Sequence, residues 1–379
     1  MKIVYFVHDV HDAAVERRVR MFNASGATTT VLGFRRRDQP LTQLLGAQVI
    51  DLGKTEDGKM AQRVGAVFAN LLRPGPILEA AKGADVIIGR NLEAFALAAR
   101  AREAAPQARL VYECLDIHRL LLGSSLPAKA VQAVQARLLK NADLVLTSSP
   151  AFEREYFRPS VPRLPPVYLI ENKVLALDAP AVPPSGQGTV TTPAGPPWII
   201  GWFGMLRCKR TYDILADLVR QSEGRIKVVI AGRPSPAEFT DFAAMVAKVP
   251  GFTFLGPYVT SDLPHLYAQC HFAWAIDFFE EGLNSSWLLP NRIYEAMVYG
   301  AVPIALRSVE VGHWLSVRSA GLILPDAGES LRQTFQTLDH QRLRQLQAQI
   351  ASVPRSDLVA THADFDALSA ALMGQGRLP

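Results

Sequence analysis

The chain has 379 residues, more than the usual size of a single domain, and its 49% hydrophobic and 20% charged composition excludes a disordered or fibrous protein. Its three cysteines show no C-x-x-C or Cys/His spacing, which argues against a disulfide framework and a structural zinc site. The sequence has no leader cleavage site and no apolar run as long as a membrane span, so we expect a cytoplasmic protein.

The positive charge is concentrated in the first half. Residues 1–197 carry 24 Lys and Arg against 18 Asp and Glu, whereas residues 198–379 carry 16 against 17. A basic half suits nucleic acid, an anionic membrane or a phosphorylated substrate. No nucleic-acid-binding motif accompanies these arginines, so nucleic acid is not an expected partner. A solvated surface is the alternative explanation of the charge.

Short β-branched runs alternate with amphipathic stretches along the first half. This alternation predicts a parallel sheet covered by helices on both faces. The predicted strands are 2–7, 29–33, 48–52, 85–88, 109–113, 143–147 and 167–170. The predicted helices include 14–23, 92–103 and 128–141.

A Pro-, Gly- and Thr-rich segment, residues 174–197, is predicted to be a linker or surface loop. Strand–helix alternation then resumes, with predicted strands at 198–203, 227–231, 252–255, 272–276, 302–306 and 321–324. Helices are predicted over 211–221, 236–248, 263–270, 292–299, 331–349 and 364–373.

The predicted fold class is α/β, with two Rossmann-like doubly wound domains that face each other across a cleft. We expect the first domain at 1–185, the second at 186–355 and a C-terminal helix within 356–379 that packs back on the first domain. A ligand cleft between two such domains suits a transferase with two substrates, and it also suits epimerases and periplasmic binding proteins.

A glycine turn after the strand at 198–203 carries the first chemical motif. Gly204 lets the backbone approach a ligand, and Arg207, Lys209 and Arg210 add positive charge beside the first amides of a helix. A diphosphate fits such a site, although neither a G-x-G-x-x-G sequence nor a P-loop is present. Cations that simply face solvent are the alternative.

A short helix that begins at Pro290 and ends at Gly300 carries the second motif. Glu295 lies in the middle of this mostly apolar helix, where an unpaired buried charge would be costly. Vicinal ribose hydroxyls would satisfy the carboxylate. An ion pair with Arg292 would satisfy it equally well.

Together, the two motifs resemble the GT-B glycosyltransferases of the family 4 type, over most of residues 198–325. The resemblance implies that the first domain binds the acceptor and the second binds a nucleotide sugar. In the second domain it implies that Arg207 and Lys209 bind the diphosphate and that Glu295 binds the ribose. It places four further residues near the phosphates or the donor sugar: Asn284, Ser285, Asn291 and Arg292. Trp287 stands where many members carry a second glutamate, eight positions before Glu295, so the donor sugar and the retaining or inverting outcome stay open.

Candidate catalytic residues follow two strands of the first half. His8 and Asp9 come directly after the first strand, and Asp116 and His118 follow a later one, so all four are expected at the carboxyl edge of the sheet. A carboxylate or imidazole there could activate an acceptor hydroxyl. Asp116 is the predicted base of an inverting reaction, and His118 would assist the donor or orient the acceptor in a retaining one. No helical H-x-x-x-H pair is present, so neither a metal nor a cofactor is expected.

Four segments, residues 90–94, 112–118, 147–152 and 170–173, are similar to a bacterial subgroup that assembles exopolysaccharides of the succinoglycan type. This resemblance implies a carbohydrate or polyprenyl-diphosphate-linked acceptor and peripheral contact with an anionic membrane at its inner face. Arg35, Arg36, Arg37 and the segment 64–78 are the candidates for that contact, with ordinary helix packing as the alternative.

The predicted function is therefore sugar transfer from a nucleoside-diphosphate sugar in bacterial surface polysaccharide synthesis. A sugar-nucleotide 2-epimerase would share the fold and the donor but would need no acceptor. A catalytically silent subunit that only binds the nucleotide sugar is the other alternative.

Overall fold

The computed structural model describes residues 1–56, 59–178 and 195–375, and the chain divides into two compact units. The first unit comprises Met1–Glu171 together with the chain from His362 onward, and the second comprises Asn172–Thr361. The predicted boundary after residue 185 lies outside the described residues.

A mostly parallel sheet forms the centre of the first unit. Its strands are β1 (Lys2–Val7), β2 (Thr28–Arg35), β3 (Gln43–Leu44), β4 (Ala47–Lys54), β5 (Val86–Arg90), β6 (Arg109–Cys114), β7 (Leu144–Thr147) and β8 (Val167–Leu169). Within the described residues their order is β3-β4-β2-β1-β5-β6-β7-β8, and only the β3–β4 pair is antiparallel. The central strands read as continuous apolar runs because helices cover both faces, and Ile3 to Phe6 are fully buried.

Helices connect these strands. They are α1 (Ala13–Ala24), α2 (Met60–Leu72), α3 (Gly75–Ala81), α4 (Asn91–Ala101), α5 (Arg119–Leu122), α6 (Leu126–Leu139) and α7 (Arg158–Ser160), with a 3-10 turn at Arg102–Ala104 and a π-helical turn at Phe152–Phe157. Asp12 caps α1, since its Oδ1 accepts a hydrogen bond of 2.8 Å from the backbone N–H of Ala14.

A second parallel sheet forms the core of the second unit. The strands of this unit are β9 (Val174–Leu175), β10 (Trp198–Leu206), β11 (Ile226–Pro234), β12 (Phe252–Phe254), β13 (Phe272–Trp274), β14 (Val302–Leu306), β15 (Leu322–Leu324) and β16 (Val359–Ala360). In the described part of the chain the sheet runs β12-β11-β10-β13-β14-β15, and β9 pairs with β16 alone. Two parallel sheets with helical crossovers confirm the predicted α/β class.

The helices of the second unit are α8 (Lys209–Gln221), α9 (Phe242–Ala247), α10 (Leu263–Ala268), α11 (Asn284–Trp287), α12 (Asn291–Val298), α13 (Glu310–Val317), α14 (Glu329–Thr337), α15 (His340–Ala351) and α16 (Arg355–Leu358). Short 3-10 turns occupy Ala176–Asp178 and Thr260–Asp262. None of the helices in the described ranges has the length and apolar character that a membrane span requires.

Three sequence expectations were wrong in detail. The helix predicted over 236–248 shrinks to α9, because β11 runs on to Pro234 and Asp241 caps the helix at Ala244. The helix predicted over 331–349 is two helices, because the side chain of Asp339 caps a new one at Arg342. The predicted linker does not begin at residue 174, since β9 pairs with β16 and ties residues up to 361 to the second unit.

The last described helix, α17 (His362–Leu372), belongs to the first unit. It packs against α1 with Phe365 and Leu372 fully buried. The hydroxyl of Ser369 lies 2.7 Å from that of Ser25 at the end of α1. The first unit is therefore built from both ends of the chain.

Candidate active site

The carboxyl ends of β10 and β11 approach each other closely at Gly204 and Gly232, which are paired in the sheet. Both have positive φ, +113° and +144°. A Cβ on Gly232 would lie 1.8 Å from the carbonyl oxygen of Gly204, so only glycine fits there. A Cβ on Gly204 would instead lie 3.7 Å from Nη2 of Arg292, which places this predicted turn beside the first turn of α12.

The two arginines of the cation turn contact the segment 277–281. Arg207 Nη2 lies 3.3 Å from Asp277 Oδ2, and its guanidinium lies 4.7 Å above the ring of Phe279. Arg210 forms an ion pair with Glu281 and lies 4.2 Å above the ring of Phe278. Each guanidinium thus has a carboxylate partner and an aromatic ring from this segment.

Lys209 is the first residue of α8 and is exposed to solvent. It belongs to the first turn of a 13-residue helix, and the backbone N–H groups of that turn have no partner within the helix. Those groups carry partial positive charge, so the lysine and the helix favour the same anion.

Asn284 and Ser285 are the first two residues of the short helix α11, and both are buried. Ser285 Oγ accepts a hydrogen bond of 3.0 Å from the backbone N–H of Glu280. Oδ1 of Asp277 accepts another, of 2.9 Å, from the backbone N–H of Phe279. Ser285 therefore fixes the shape of the segment that holds the two arginines.

Glu295 lies half-buried on α12 and accepts a hydrogen bond of 3.1 Å from the hydroxyl of Tyr267. Burial and the carboxylate together raise the pKa of Tyr258 and Tyr267, and they raise the pKa of Tyr299 to about 12. The charge of Glu295 thus acts on three tyrosines, and one of them, Tyr267, donates a hydrogen bond to it.

Arg292 lies on the same helix, one turn before Glu295, and its charge opposes the rise in the pKa of Tyr258 and Tyr267. Asn291, the first residue of α12, is exposed. Phe203, which precedes Gly204, packs edge-on against Tyr267 with 5.0 Å between ring centroids. The structure therefore brings Gly204, Arg292 and Glu295 to one place.

Sequence reasoning missed the tyrosines. Tyr258 precedes the 3-10 turn before α10, and Tyr267 lies within α10. Both are far from Glu295 along the chain, and no spacing rule links a residue to a partner on another helix. Their aromatic character in a segment otherwise rich in small and polar residues was the only signal.

His8 and Asp9 lie directly after β1, as predicted. Nε2 of His8 is 3.3 Å from Oδ2 of Asp12, so its N–H donates a hydrogen bond to the carboxylate. Nδ1 of His8 is buried and has no hydrogen-bond partner among the described residues. With Nε2 directed at Asp12, Nδ1 is the ring nitrogen that can meet a further group.

Asp9 has a different environment. Its Oδ1 accepts a hydrogen bond of 3.1 Å from the backbone N–H of His11 and lies 3.6 Å from the ring Nδ1 of that residue. Its Oδ2 lies 3.6 Å from Nε of Arg36. These contacts order the loop after β1, and Arg36 is directed towards a carboxylate of its own unit.

Asp116 and His118 lie on the connection after β6, and both are exposed. Nδ1 of His118 accepts a hydrogen bond of 3.2 Å from the backbone N–H of Leu120, which caps α5. Although the residue is largely exposed, partial desolvation of its ring and the nearby charge of Arg63 lower the pKa of His118. The imidazole is thus neutral at pH 7, and its Nε2–H is a hydrogen-bond donor. In the sheet, β5 separates β1 from β6.

A buried ionic cluster beneath these loops was not predicted. Glu113, at the end of β6, is fully buried and accepts hydrogen bonds from the hydroxyl of Tyr5 and from Nε of Arg18, the latter at 2.6 Å. Nη1 of Arg90, at the end of β5, lies 3.7 Å from the same carboxylate and 3.1 Å from Tyr5 Oη. Within the described ranges, no three His, Cys, Asp or Glu side chains form a group that could hold a metal ion.

Comparison with known proteins identifies the family of the chain. Residues 8–172 match the family described as the glycosyl transferase 4-like domain. The chain is also 46% identical, over 329 residues, to the succinoglycan biosynthesis protein ExoL of Rhizobium meliloti (strain 1021), covering 86% of this chain and 82% of that protein. This chain belongs to the family 4-like glycosyltransferases.

The solved structures place this glycosyltransferase in the GT-B fold. HepE from Anabaena, in a crystal structure with UDP and glucose, has a TM-score of 0.69 at 17% identity, with 99% of each chain covered. A putative UDP-N-acetylglucosamine 2-epimerase from Listeria monocytogenes has a TM-score of 0.58 at 13% identity, with 100% of this chain and 98% of that chain covered. Both likenesses concern the fold alone, and the second shows that the fold does not by itself separate transferases from epimerases.

Proposed function

We propose that this glycosyltransferase moves a sugar from a nucleoside-diphosphate sugar to a carbohydrate or polyprenyl-diphosphate-linked acceptor in bacterial surface polysaccharide synthesis. The observation that carries the proposal is the meeting of the glycine turn with α12, where Gly204 and Arg292 are neighbours and Glu295 lies among tyrosines. The name of ExoL supports exopolysaccharide synthesis, and the HepE complex supports a UDP-sugar as donor.

In the proposed donor site the diphosphate replaces the carboxylates that now neutralise the arginines. Arg207 exchanges Asp277 for a phosphate oxygen, Lys209 adds a second cation, and Glu295 accepts hydrogen bonds from the ribose hydroxyls. When the glycosidic bond to the diphosphate breaks, negative charge develops on the leaving group. Fixed cations and helix amides stabilise that charge, which is the electrostatic contribution that a metal ion makes in other transferases.

On the first unit, the hydrogen bonds of the two histidines support different proposed roles. His8 donates through Nε2 to Asp12 and has no hydrogen-bond partner for Nδ1 among the described residues, which suits a general base held by a carboxylate. His118 accepts through Nδ1 and offers an Nε2–H, the arrangement of a donor to a hydroxyl or phosphate oxygen. We propose His8 as the base towards the acceptor hydroxyl, with Asp9 ordering its loop, and Asp116 and His118 as acceptor-binding residues.

Sugar-nucleotide turnover and binding test the donor site. Lys209→Ala and Glu295→Ala should each lower kcat/KM by at least about tenfold, because each removes a charge-assisted interaction of about 1.5–3 kcal/mol. The exposed residues Lys248 and Glu238 of the same unit supply matched controls, and their alanine variants should keep the wild-type rate. Wild-type rates in both site variants would refute the proposed donor site.

Incubation with the donor alone separates the alternatives. A transferase leaves the sugar nucleotide intact apart from slow hydrolysis, whereas an epimerase converts it to a second sugar nucleotide. Nucleoside-diphosphate binding measured by calorimetry, without turnover on any acceptor, would instead indicate a silent binding subunit. UDP, GDP and ADP compared in the same calorimetric experiment identify the base.

A membrane contact is proposed for one face of α2. Val64, Phe68 and Leu72 are spaced four residues apart along this helix and are 46%, 60% and 80% exposed. Side chains four apart lie on one helical face, so they form an apolar stripe that ends beside the exposed Arg73. Together with the excess of cations in residues 1–197, this stripe suits the interface of an anionic bilayer.

Of the three consecutive arginines that were candidates for the same contact, Arg35 pairs with Asp51 and Arg36 with Asp9, while Arg37 is exposed. Flotation with phosphatidylglycerol vesicles tests the stripe. Phe68→Gln with Leu72→Gln should abolish co-flotation, whereas Val317→Gln, a control on an exposed apolar residue of the second unit, should retain it. Equal flotation of both variants would refute the proposed surface.

A further inference from the structure

We propose that Tyr267 is a positioning residue for donor binding: its hydroxyl fixes the carboxylate of Glu295 in the orientation that receives the nucleotide ribose. The inference rests on the proposed function, since it concerns the same donor site. It adds a residue that neither the sequence motifs nor the family resemblance singled out.

The ring of Tyr267 is immobilised on every side. It is fully buried within α10, it packs edge-on against Phe203 at 5.0 Å, and it stacks on Tyr299 at 5.9 Å with 19° between the ring planes. Its hydroxyl can therefore occupy one place, 3.1 Å from Oε2 of Glu295. A rigid donor at that distance selects one orientation of a side chain that otherwise has three rotatable bonds.

The direction of this hydrogen bond is set by charge. Burial and the carboxylate of Glu295 both raise the pKa of Tyr267 well above its ordinary value, so the phenol stays protonated at every pH at which the protein works. Glu295 accepts and Tyr267 donates.

Phe203 links this pair to the phosphate end of the site. Phe203, whose ring packs on Tyr267, directly precedes Gly204 in the chain. Gly204 in turn lies next to Arg292. Phe203 therefore helps to fix the positions of both the Tyr267 hydroxyl and the glycine turn. A shift of Tyr267 would alter the distance between the ribose carboxylate and the turn that holds the diphosphate.

Tyr267→Phe removes the hydroxyl and keeps the ring. The control is Tyr212→Phe, a buried tyrosine of the same unit whose hydroxyl donates to the carbonyl oxygen of Met245 at 2.7 Å, away from Glu295. Calorimetry would compare UDP, GDP and ADP with their 2′,3′-dideoxy counterparts, in wild type and both variants. Far-UV circular dichroism and thermal unfolding would verify that each variant is folded.

In wild type we expect the ribonucleotide of the preferred base to bind more tightly than its dideoxy counterpart. In Tyr267→Phe this preference should fall by about tenfold, because a misoriented carboxylate loses about one charge-assisted hydrogen bond. Affinity for the dideoxy compound should not change. With the nucleotide sugar as substrate, KM should rise more than kcat falls. Tyr212→Phe should bind both compounds as wild type does.

A double-mutant cycle supplies the second measurement. If Tyr267 acts through Glu295, the Tyr267→Phe change should cost nothing further in a Glu295→Gln background. Full ribose preference in folded Tyr267→Phe, or additive losses in the double variant, would overturn this inference and leave the donor site standing. Absence of any ribose preference in wild type, with no effect of Glu295→Gln, would overturn the donor site and this inference together.

Discussion

Glu113 shows how one residue determines the stability of its surroundings. Its carboxylate is fully buried, and burial alone would raise its pKa. The charges of Arg18 and Arg90 outweigh that effect and lower the pKa below its ordinary value, so the group is ionised. Two guanidinium groups and one phenol depend on it for their hydrogen bonds and charge balance. A buried ionised carboxylate of this kind is needed by its partners even where the ion pairs add little to the net free energy of unfolding.

Glu113→Gln should therefore destabilise the first unit by about 3–5 kcal/mol, because two buried arginines lose their counter-charge while the shape of the side chain is kept. Urea unfolding monitored by circular dichroism measures the change. Asp51→Asn breaks the more exposed ion pair with Arg35 and should cost less than about 1 kcal/mol. Equal effects of the two substitutions would contradict the view that burial sets the cost.

Asp12 links the stability of the protein to pH. Although burial raises its pKa, the hydrogen bond from His8 and the charge of Arg90 lower it below the ordinary value near 4. The stability that the charged form contributes is complete above that ordinary value and is lost as the pH falls towards the lower pKa of the folded state. Protonation of Asp12 therefore contributes to the loss of protein stability at low pH.

Wild type and Asp12→Asn should therefore differ most in unfolding free energy near pH 6, and the difference should shrink as the pH falls from about 5 to about 2. Asparagine caps a helix about as well as aspartate, so this variant loses the charge and keeps the cap. Asp12→Ala should lose about 1 kcal/mol more at every pH, because it also removes the cap. Urea unfolding across this pH range checks both expectations, and a pH-independent difference between wild type and Asp12→Asn would contradict the first.

For single residues, the sequence indicated the candidate functional residues more accurately than it indicated the side chains that they contact. Arg207 was expected to bind a diphosphate, and its ion pair with Asp277 was not predicted. Ribose hydroxyls or Arg292 were the expected partners of Glu295, and its hydrogen bond from Tyr267 was not predicted. Side-chain partners on separate elements depend on how the elements pack, which a local pattern does not contain.

Among the elements, the close pairing of β10 with β11 has the strictest requirement for one residue type, which is glycine at position 232. Gly232→Ala adds a Cβ that would meet the backbone of Gly204 at a φ of +144°, where an L side chain is strained. We expect a loss of about 1–3 kcal/mol from the backbone conformation, with further loss from the displaced turn.

Thermal unfolding of the variants measures this loss. Gly224→Ala is the matched control, since its φ is +82° and a Cβ there would meet nothing within 4 Å. Gly224→Ala should lose only the stability that the strained backbone conformation costs. Gly232→Ala should in addition weaken nucleoside-diphosphate binding. A Gly232→Ala protein no less stable than Gly224→Ala would show that the turn can move at little cost.

The strands were predicted more accurately than the short helices. β1 and β14 match their predictions residue for residue, because strands buried on both faces read as uninterrupted apolar runs between polar ends. The helix α11 has four residues and went unpredicted, because one turn of helix produces no periodicity. The break between α14 and α15 depends on a single capping aspartate within a pattern that remains helical.

For the whole molecule, the notable fact is that the first unit contains both chain ends. Residues 172–361 form one continuous unit and should fold when expressed separately. Residues 1–171 should not fold stably, because without α17 the apolar face of α1 is uncovered. A fully buried side chain such as Phe365 contributes about 1.5–3 kcal/mol.

Circular dichroism and amide NMR spectra of the two fragments test this expectation. A synthetic peptide of residues 362–379 should restore cooperative unfolding to 1–171, and the same peptide with Phe365→Ala should fail to do so. The exposed Asp366 provides the control, since Asp366→Ala should restore folding as the unaltered peptide does. A stable 1–171 fragment without any peptide would contradict the prediction.

The return of α17 to the first unit also affects the order of events on the ribosome. Domains usually fold one after another as they leave the exit tunnel, with the amino-terminal one first. Here α17, which completes the first unit, is translated after all of residues 172–361. The second unit can therefore finish folding before the first, and until α17 has been translated the nascent chain exposes an apolar surface on α1 that chaperones would recognise.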